Sequence, residues 1–184
     1  MPNHITNKLT FEGKEERVKE LREFIKGEGE VIDFNTLEPM PKELEVECRD
    51  RAWNNTHYRE NVQKYGYPTW YEWCVAHWGT KWNAYDQFEE DLYNIEFDTA
   101  WAGVPDIVLK ISERFPDVAI YYTFADEDCG NNTGDGYYEN GEMYMDFPEG
   151  GSEEGWEIYF KVNPGERENF KLVDGEWRYI DDDE

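Results

Sequence analysis

Cysteine is scarce and scattered in this chain: Cys48, Cys74 and Cys129 are its three thiols in 184 residues. An odd, widely spaced set does not make a disulfide framework and fits reduced thiols in a cytoplasm. Long apolar runs are missing too, and nothing approaches the roughly 20 residues that a membrane-spanning helix needs. The start, Met1-Pro2-Asn3-His4-Ile5-Thr6, has neither a basic nor an apolar stretch, so no signal peptide is expected. The shortage with the widest consequences is positive charge. There are 18 Lys and Arg against 43 Asp and Glu, a formal net charge of −25. Binding nucleic acid without regard to sequence displaces counterions with Lys and Arg, and anionic membranes attract the same residues. The balance therefore argues against both as direct partners.

Aromatic residues, by contrast, are plentiful: 8 Trp, 13 Tyr and 10 Phe. Disordered acidic chains are poor in aromatics, so a folded protein is expected. The length suits one domain, or a domain with an extension, and supports a core without metals or disulfides. Charge is uneven along the chain. Residues 1–125 hold 24 acids and 14 bases, whereas residues 126–184 hold 19 acids and 4 bases. The end, Asp181-Asp182-Asp183-Glu184, reads as a solvated tail.

Periodicity outlines the fold. Ile5, Leu9 and Phe11 alternate with Thr6, Lys8 and Thr10, which predicts a first strand ended by Gly13. Val18, Leu21 and Ile25 predict a helix over 14–26, stopped near Gly27 and Gly29. Pro39-Met40-Pro41 forbids a continuous element there, and Asn54-Asn55 marks a loop. Trp70, Trp73, Cys74, His77 and Trp78 form one heavy stripe on a second helix, ended by Gly79. A short strand is expected over 81–85 and another through Ile95, Phe97 and Trp101. Val104, Ile107, Val108, Ile111 and Phe115 predict a third helix, with Pro105 in its first turn and Pro116 beyond its end. Val118, Ile120, Tyr122 and Phe124 alternate in the next strand.

This order matches the split βαβ plan. The expected class is α+β, a ferredoxin-like split βαβ sandwich with an antiparallel sheet, a tryptophan-rich helical insertion and C-terminal β-hairpins. Residues 1–125 form the ferredoxin-like unit, with the insertion at about 30–80. Residues 126–184 form an acidic hairpin extension packed on the same sheet. Asn140-Gly141 and Asp174-Gly175 favour two-residue hairpins, because Asn, Asp and Gly tolerate positive φ. The first pairs Tyr138 with Met143; the second pairs Leu172 with Trp177 and Phe170 with Tyr179. A further strand is expected through Trp156, Ile158, Phe160 and Val162, and all these hairpins are expected to prolong the sheet.

Four stretches carry a family resemblance: Met1-Pro2-Asn3 with Asn7-Lys8-Leu9-Thr10; Trp70-Tyr71-Glu72-Trp73-Cys74 through His77-Trp78-Gly79-Thr80-Lys81-Trp82-Asn83-Ala84; Phe97-Asp98-Thr99-Ala100-Trp101; and Cys129-Gly130 followed by a glycine-rich loop and Tyr138. Together, over roughly residues 1–145, they resemble the YubB-like family, ferredoxin-like proteins of phages, prophages and conjugative plasmids. The resemblance implies the fold and a mobile-element origin. It implies no activity and no catalytic residues.

Signs of chemistry are sparse. Cys74 and His77 share a helical turn, but Cys48, His57, Cys129 and His4 lack the paired spacing of a zinc site, so no metal is assigned. The segment from Gly130 to Gly136 lacks the Gly-Lys-Ser/Thr ending of a phosphate loop and follows Asp126-Glu127-Asp128. Its spacing does not match a calcium loop either. No nucleophile elbow and no His-Glu-x-x-His helix is present, so no catalytic residue and no cofactor is assigned.

The most informative pattern is in the first C-terminal hairpin. Met143, Met145 and Phe147 point one way, while Glu142, Tyr144 and Asp146 point the other. Glu139 lies opposite Glu142, and Tyr137 opposite Tyr144. Glu157 and Tyr159 are expected to face outward from the later strand. Acids alternating with tyrosines on a flat face suit a basic protein partner, with tyrosine adding contact area at low entropy cost. The same acids would also keep the edge from aggregating. The expected function is a non-enzymatic interaction protein, a DNA-like antagonist of a basic, nucleic-acid-binding host defence protein of the anti-restriction or anti-CRISPR type. Its expected partner-binding residues are Glu139, Glu142, Tyr144, Asp146, Glu157 and Tyr159. The alternative is a ligand-binding module or small enzyme built on the aromatic insertion and the Gly130 to Gly136 loop.

Overall fold

The structure, a computed structural model, describes residues 2–46 and 56–180. Cys48, the Asn54-Asn55 loop and the acidic tail from Asp181 lie outside the described residues. Strand β1 (His4–Glu12) turns its alternate residues Ile5, Asn7, Leu9 and Phe11 inward. Helix α1 (Glu15–Ile25) follows and buries Val18, Leu21 and Ile25, with Glu15 and Glu16 in its first turn, where carboxylates suit the helix dipole. Helices α2 (Thr56–Tyr65) and α3 (Trp70–His77) precede strands β2 (Tyr85–Glu89) and β3 (Asn94–Ala100). Helix α4 (Pro105–Arg114) starts on a proline already set to helical φ and buries Ile107, Val108 and Ile111. Strands β4 (Ala119–Asp126), β5 (Gly134–Glu139) and β6 (Glu142–Asp146) complete the sheet.

The sheet order is β2-β3-β1-β4-β5-β6, and every neighbouring pair is antiparallel. Its first four strands, with α1 and α4, are the ferredoxin-like split βαβ arrangement. Both helices pack on one face, against Ile5, Leu9, Phe11, Phe97, Ile120 and Tyr122. The insertion joins this core through Phe34, Leu44, Trp73, Cys74 and Trp78, so the tryptophan stripe is mainly packing. Tyr138↔Met143, Leu172↔Trp177 and Phe170↔Tyr179 all pair as expected.

The segment around Trp156 is not a strand. It is helix α5 (Glu153–Val162), which buries Tyr159, Phe160 and Val162. The alternation of Trp156, Ile158, Phe160 and Val162 hides a helical stripe of Trp156, Tyr159 and Phe160. Local signals favour the helix: the Ser152 side chain caps it by accepting from the Gly155 N–H, and Glu153 and Glu154 occupy its first turn. The second hairpin, β7 (Phe170–Val173) with β8 (Glu176–Tyr179), is a separate two-stranded sheet and does not prolong the main one. It packs Phe170 and Trp177 on α5, in a small cluster with Ala125. Ala125 alternates with Phe124 and Tyr122, so this cluster covers part of the sheet face opposite α1 and α4. The expected strand over 81–85 forms later, as β2, and starts only at Tyr85. The Lys81 ammonium lies instead between the rings of Trp82 and Trp101, 4.4 and 4.8 Å from their centroids.

Close approach fixes one glycine. A Cβ on Gly136 would lie 2.1 Å from the Tyr144 carbonyl oxygen and 2.8 Å from the Met145 Cα, both backbone atoms. Gly136→Ala is therefore expected to cost about 2 kcal/mol or more, by forcing β5 and β6 apart. A urea unfolding curve with a lower midpoint checks it; an unchanged midpoint contradicts it.

Candidate functional site

The sheet face opposite α1 and α4 is covered at one end by α5 and left open at the other. Register places its open side chains in rows. Thr10 pairs with Tyr121, Tyr121 with Tyr137, and Tyr137 with Tyr144. The three tyrosines are 45%, 40% and 46% exposed. Their rings form a ladder across β4, β5 and β6. Tyr121 and Tyr137 have centroids 6.2 Å apart and are tilted, while Tyr137 and Tyr144 are stacked at 4.9 Å and 17°. The second spacing is close to the 4.7–4.9 Å between strands, so each ring stands over its own strand.

Carboxylates surround the ladder. The Tyr121 hydroxyl donates to Glu12 at 3.0 Å, and the Tyr144 hydroxyl donates to Glu142 at 2.5 Å. These bonds, with the negative charge behind them, raise both phenol pKa values, so the rings stay neutral in the neutral pH range. Glu139 lies directly opposite Glu142, and Asp146 opposite Asp135. Lys161 from α5 binds Asp135 at 2.6 Å, and Lys8 binds Glu96 at 3.1 Å. Among the described residues Glu12, Glu139, Glu142 and Asp146 have no cationic partner, and all four are exposed. Like charges directly opposed across a hairpin cost stability, so Glu139 and Glu142 do not serve the fold.

Of the six expected residues, the fold brings together Glu139, Glu142, Tyr144 and Asp146. It does not place Glu157 and Tyr159 with them, because α5 replaces the expected strand. Tyr159 is buried against Phe160 and Trp156, and burial pushes its pKa up. Glu157 is neutralised by a two-pronged pair with Arg167, at 2.8 and 2.9 Å, which lowers its pKa. Two residues of the face, Tyr121 and Glu12, are not among the expected ones; both lie on the outward phase of strands whose inward phase the periodicity shows. Taking the outward phase of β4, aligned against Tyr137, would have found Tyr121.

The other constellations are occupied with their own neighbours. The Cys74 sulfur contacts the Met40 sulfur at 3.7 Å, and burial pushes its thiol up to about 12. His77 stacks on Trp73 at 4.2 Å and turns its Nδ1 to Glu38. Glu38 also pairs with Lys110, in a shallow pocket of about 270 Å³ lined by Asp106 and Glu113. In the glycine-rich loop, Asn132 donates to Asp126 and to the Trp101 carbonyl, both at 2.9 Å. Gly130 lies against the Trp156 ring. Among the described residues no three His, Cys, Asp or Glu side chains are grouped to hold a metal, and no helix is long and apolar enough to cross a membrane.

Residues 77–171 match the family model described as the ferredoxin-like domain in Api92-like protein. No curated protein and no solved structure matches the chain.

Proposed function

We propose that this chain, which belongs to the family of the ferredoxin-like domain in Api92-like proteins, is a non-enzymatic interaction protein whose open acidic face occupies the nucleic-acid-binding surface of a basic partner. The observation that carries this reading is the set Glu12, Glu139, Glu142 and Asp146, four exposed carboxylates on one sheet face that pair with no cation among the described residues. Glu142 and Asp146 stand about 13 Å apart on one strand with Tyr144 between them, and Glu139 faces Glu142 across the hairpin. Fixed negative charge on such a face attracts an Arg- and Lys-lined surface, speeds encounter and repels nucleic acid itself. The mobile-element resemblance supports reading the partner as a cytoplasmic host defence protein, and the action as that of a DNA mimic of the anti-restriction or anti-CRISPR type.

The test is affinity capture from host lysate with the full chain as bait, followed by a DNA-binding assay on the captured protein. The expected result is a basic nucleic-acid-binding protein whose DNA binding falls in proportion to the chain added. A captured protein that holds the chain and duplex DNA at the same time overturns mimicry.

A further inference from the structure

Strand β6 ends the sheet, and among the described residues no strand pairs with its outer side. Exposed edges are usually blunted by bulges, prolines, charged side chains or a covering element. The opposite edge, β2, follows this rule: its register shifts between Tyr85 and Phe88, with Asp86 at φ +45°. β6 has no such irregularity, and its two charges are both negative and both on the tyrosine side, so they guard the edge against another acidic strand but not against a basic one. Its pairing with β5 is unbroken from Asp135↔Asp146 to Glu139↔Glu142, and its sequence, Glu-Met-Tyr-Met-Asp, contains no proline and no lysine.

The turn determines which backbone groups are free. Asn140 and Gly141 have φ +55° and +75°, a two-residue turn whose flanking residues, Glu139 and Glu142, exchange both hydrogen bonds. Alternation then directs the backbone groups of Tyr144 and Asp146 toward β5 as well, leaving the N–H and C=O groups of Met143 and Met145 on the open edge. The two sides of that edge differ in chemistry. On the tyrosine side are Glu142, Tyr144 and Asp146. On the helix side are Met143, 42% exposed, the partly buried Met145, and beyond the strand Phe147, 52% exposed.

We propose that β6 accepts an added β-strand from the partner, a segment in which arginine alternates with apolar residues. This rests on the reading of the acidic face given above. Backbone bonds to Met143 and Met145 supply the affinity, and alternate side chains the selection. One ring face of Tyr144 lies on Tyr137, while the other faces the open edge, where a planar guanidinium stacks between Glu142 and Asp146. The apolar residues of the segment meet Met143, Met145 and Phe147. A second copy of this chain does not suit the edge, because antiparallel pairing centred on Tyr144 would set Glu142 against Asp146.

The test uses two fluorescent peptides of about seven residues, enough to span β6. One alternates Arg and Val; the other has the same composition in two blocks. Binding to the full chain is measured by anisotropy, and hydrogen exchange is followed at the Met143 and Met145 amides. The alternating peptide is expected to bind at least about tenfold more tightly and to protect both amides. Met145→Pro removes one outward N–H and is expected to abolish the preference. Should that variant misfold, N-methylation of the alternating peptide at its edge-facing nitrogens is expected to do the same with the protein unaltered. Equal binding of the two peptides without protection of these amides overturns strand addition and leaves the acidic-face reading standing. Failure of both peptides to bind at low salt overturns both.

Discussion

Tyr122→Phe is expected to lower the free energy of unfolding by about 2–4 kcal/mol, although it removes a single oxygen and changes almost no volume. The hydroxyl is fully buried and links three elements. It donates to the Asn7 side-chain oxygen in β1 at 2.7 Å and accepts from the Val104 N–H, at the start of α4, at 2.7 Å. Asn7 is itself fully buried, and its amide reaches the Ile5 carbonyl at 2.8 Å, the Thr99 hydroxyl at 2.9 Å and the Phe97 carbonyl at 3.2 Å. Phenylalanine would leave one amide N–H and one amide oxygen without partners where water cannot reach, each costing about 1–3 kcal/mol. Burial also raises the phenol pKa well above its ordinary value, so the hydroxyl stays protonated and can donate. Urea unfolding followed by tryptophan fluorescence checks this, with a lower midpoint at unchanged slope as the expected result. A midpoint equal to that of the wild type contradicts it.

The same strand shows what the sequence could reveal. Ile5, Leu9 and Phe11 made β1 legible, and prolines and glycines bounded the helices, so the βαβ frame followed from periodicity alone. Asn7 sits on the inward phase of that strand, yet its role depends on Tyr122 and Thr99, far away in the chain. Helix α2 escaped because it buries only Tyr58 and Asn61, too few positions to show a period. Helix α5 is ambiguous in sequence because Trp156, Ile158, Phe160 and Val162 fit a two-residue period while Trp156, Tyr159 and Phe160 fit a helical one. The cap at Ser152 decides between them. The strand period sets Glu157 and Tyr159 on the face, and the helix takes them off it. The Asn140-Gly141 turn, by contrast, fixed the register of β5 and β6 and therefore the placement of Glu139, Glu142, Tyr144 and Asp146. Tyr121 and Glu12 join them only when β1, β4 and β5 are aligned.

Removing the four carboxylate charges of the face, by Glu12→Gln, Glu139→Gln, Glu142→Gln and Asp146→Asn together, is expected to weaken binding to the basic partner at least about tenfold. Amides keep nearly the same shape, so contact area is preserved and charge is lost. The association rate should fall first, because steering by the fixed field is lost, and the salt dependence should become shallower. The fold is expected to survive, since Glu139 and Glu142 repel one another across the hairpin. A matched control removes Glu16, Glu23, Glu28 and Glu30, exposed carboxylates on α1 and the turn after it, on the other side of the sheet.

The most direct measurement is the dissociation constant of the captured partner for the wild-type chain, the face variant and the control, each at several salt concentrations. The account predicts a control within about twofold of wild type and a face variant at least about tenfold weaker, with a shallower salt slope. Equal losses in the two variants, or no loss in either, would contradict it.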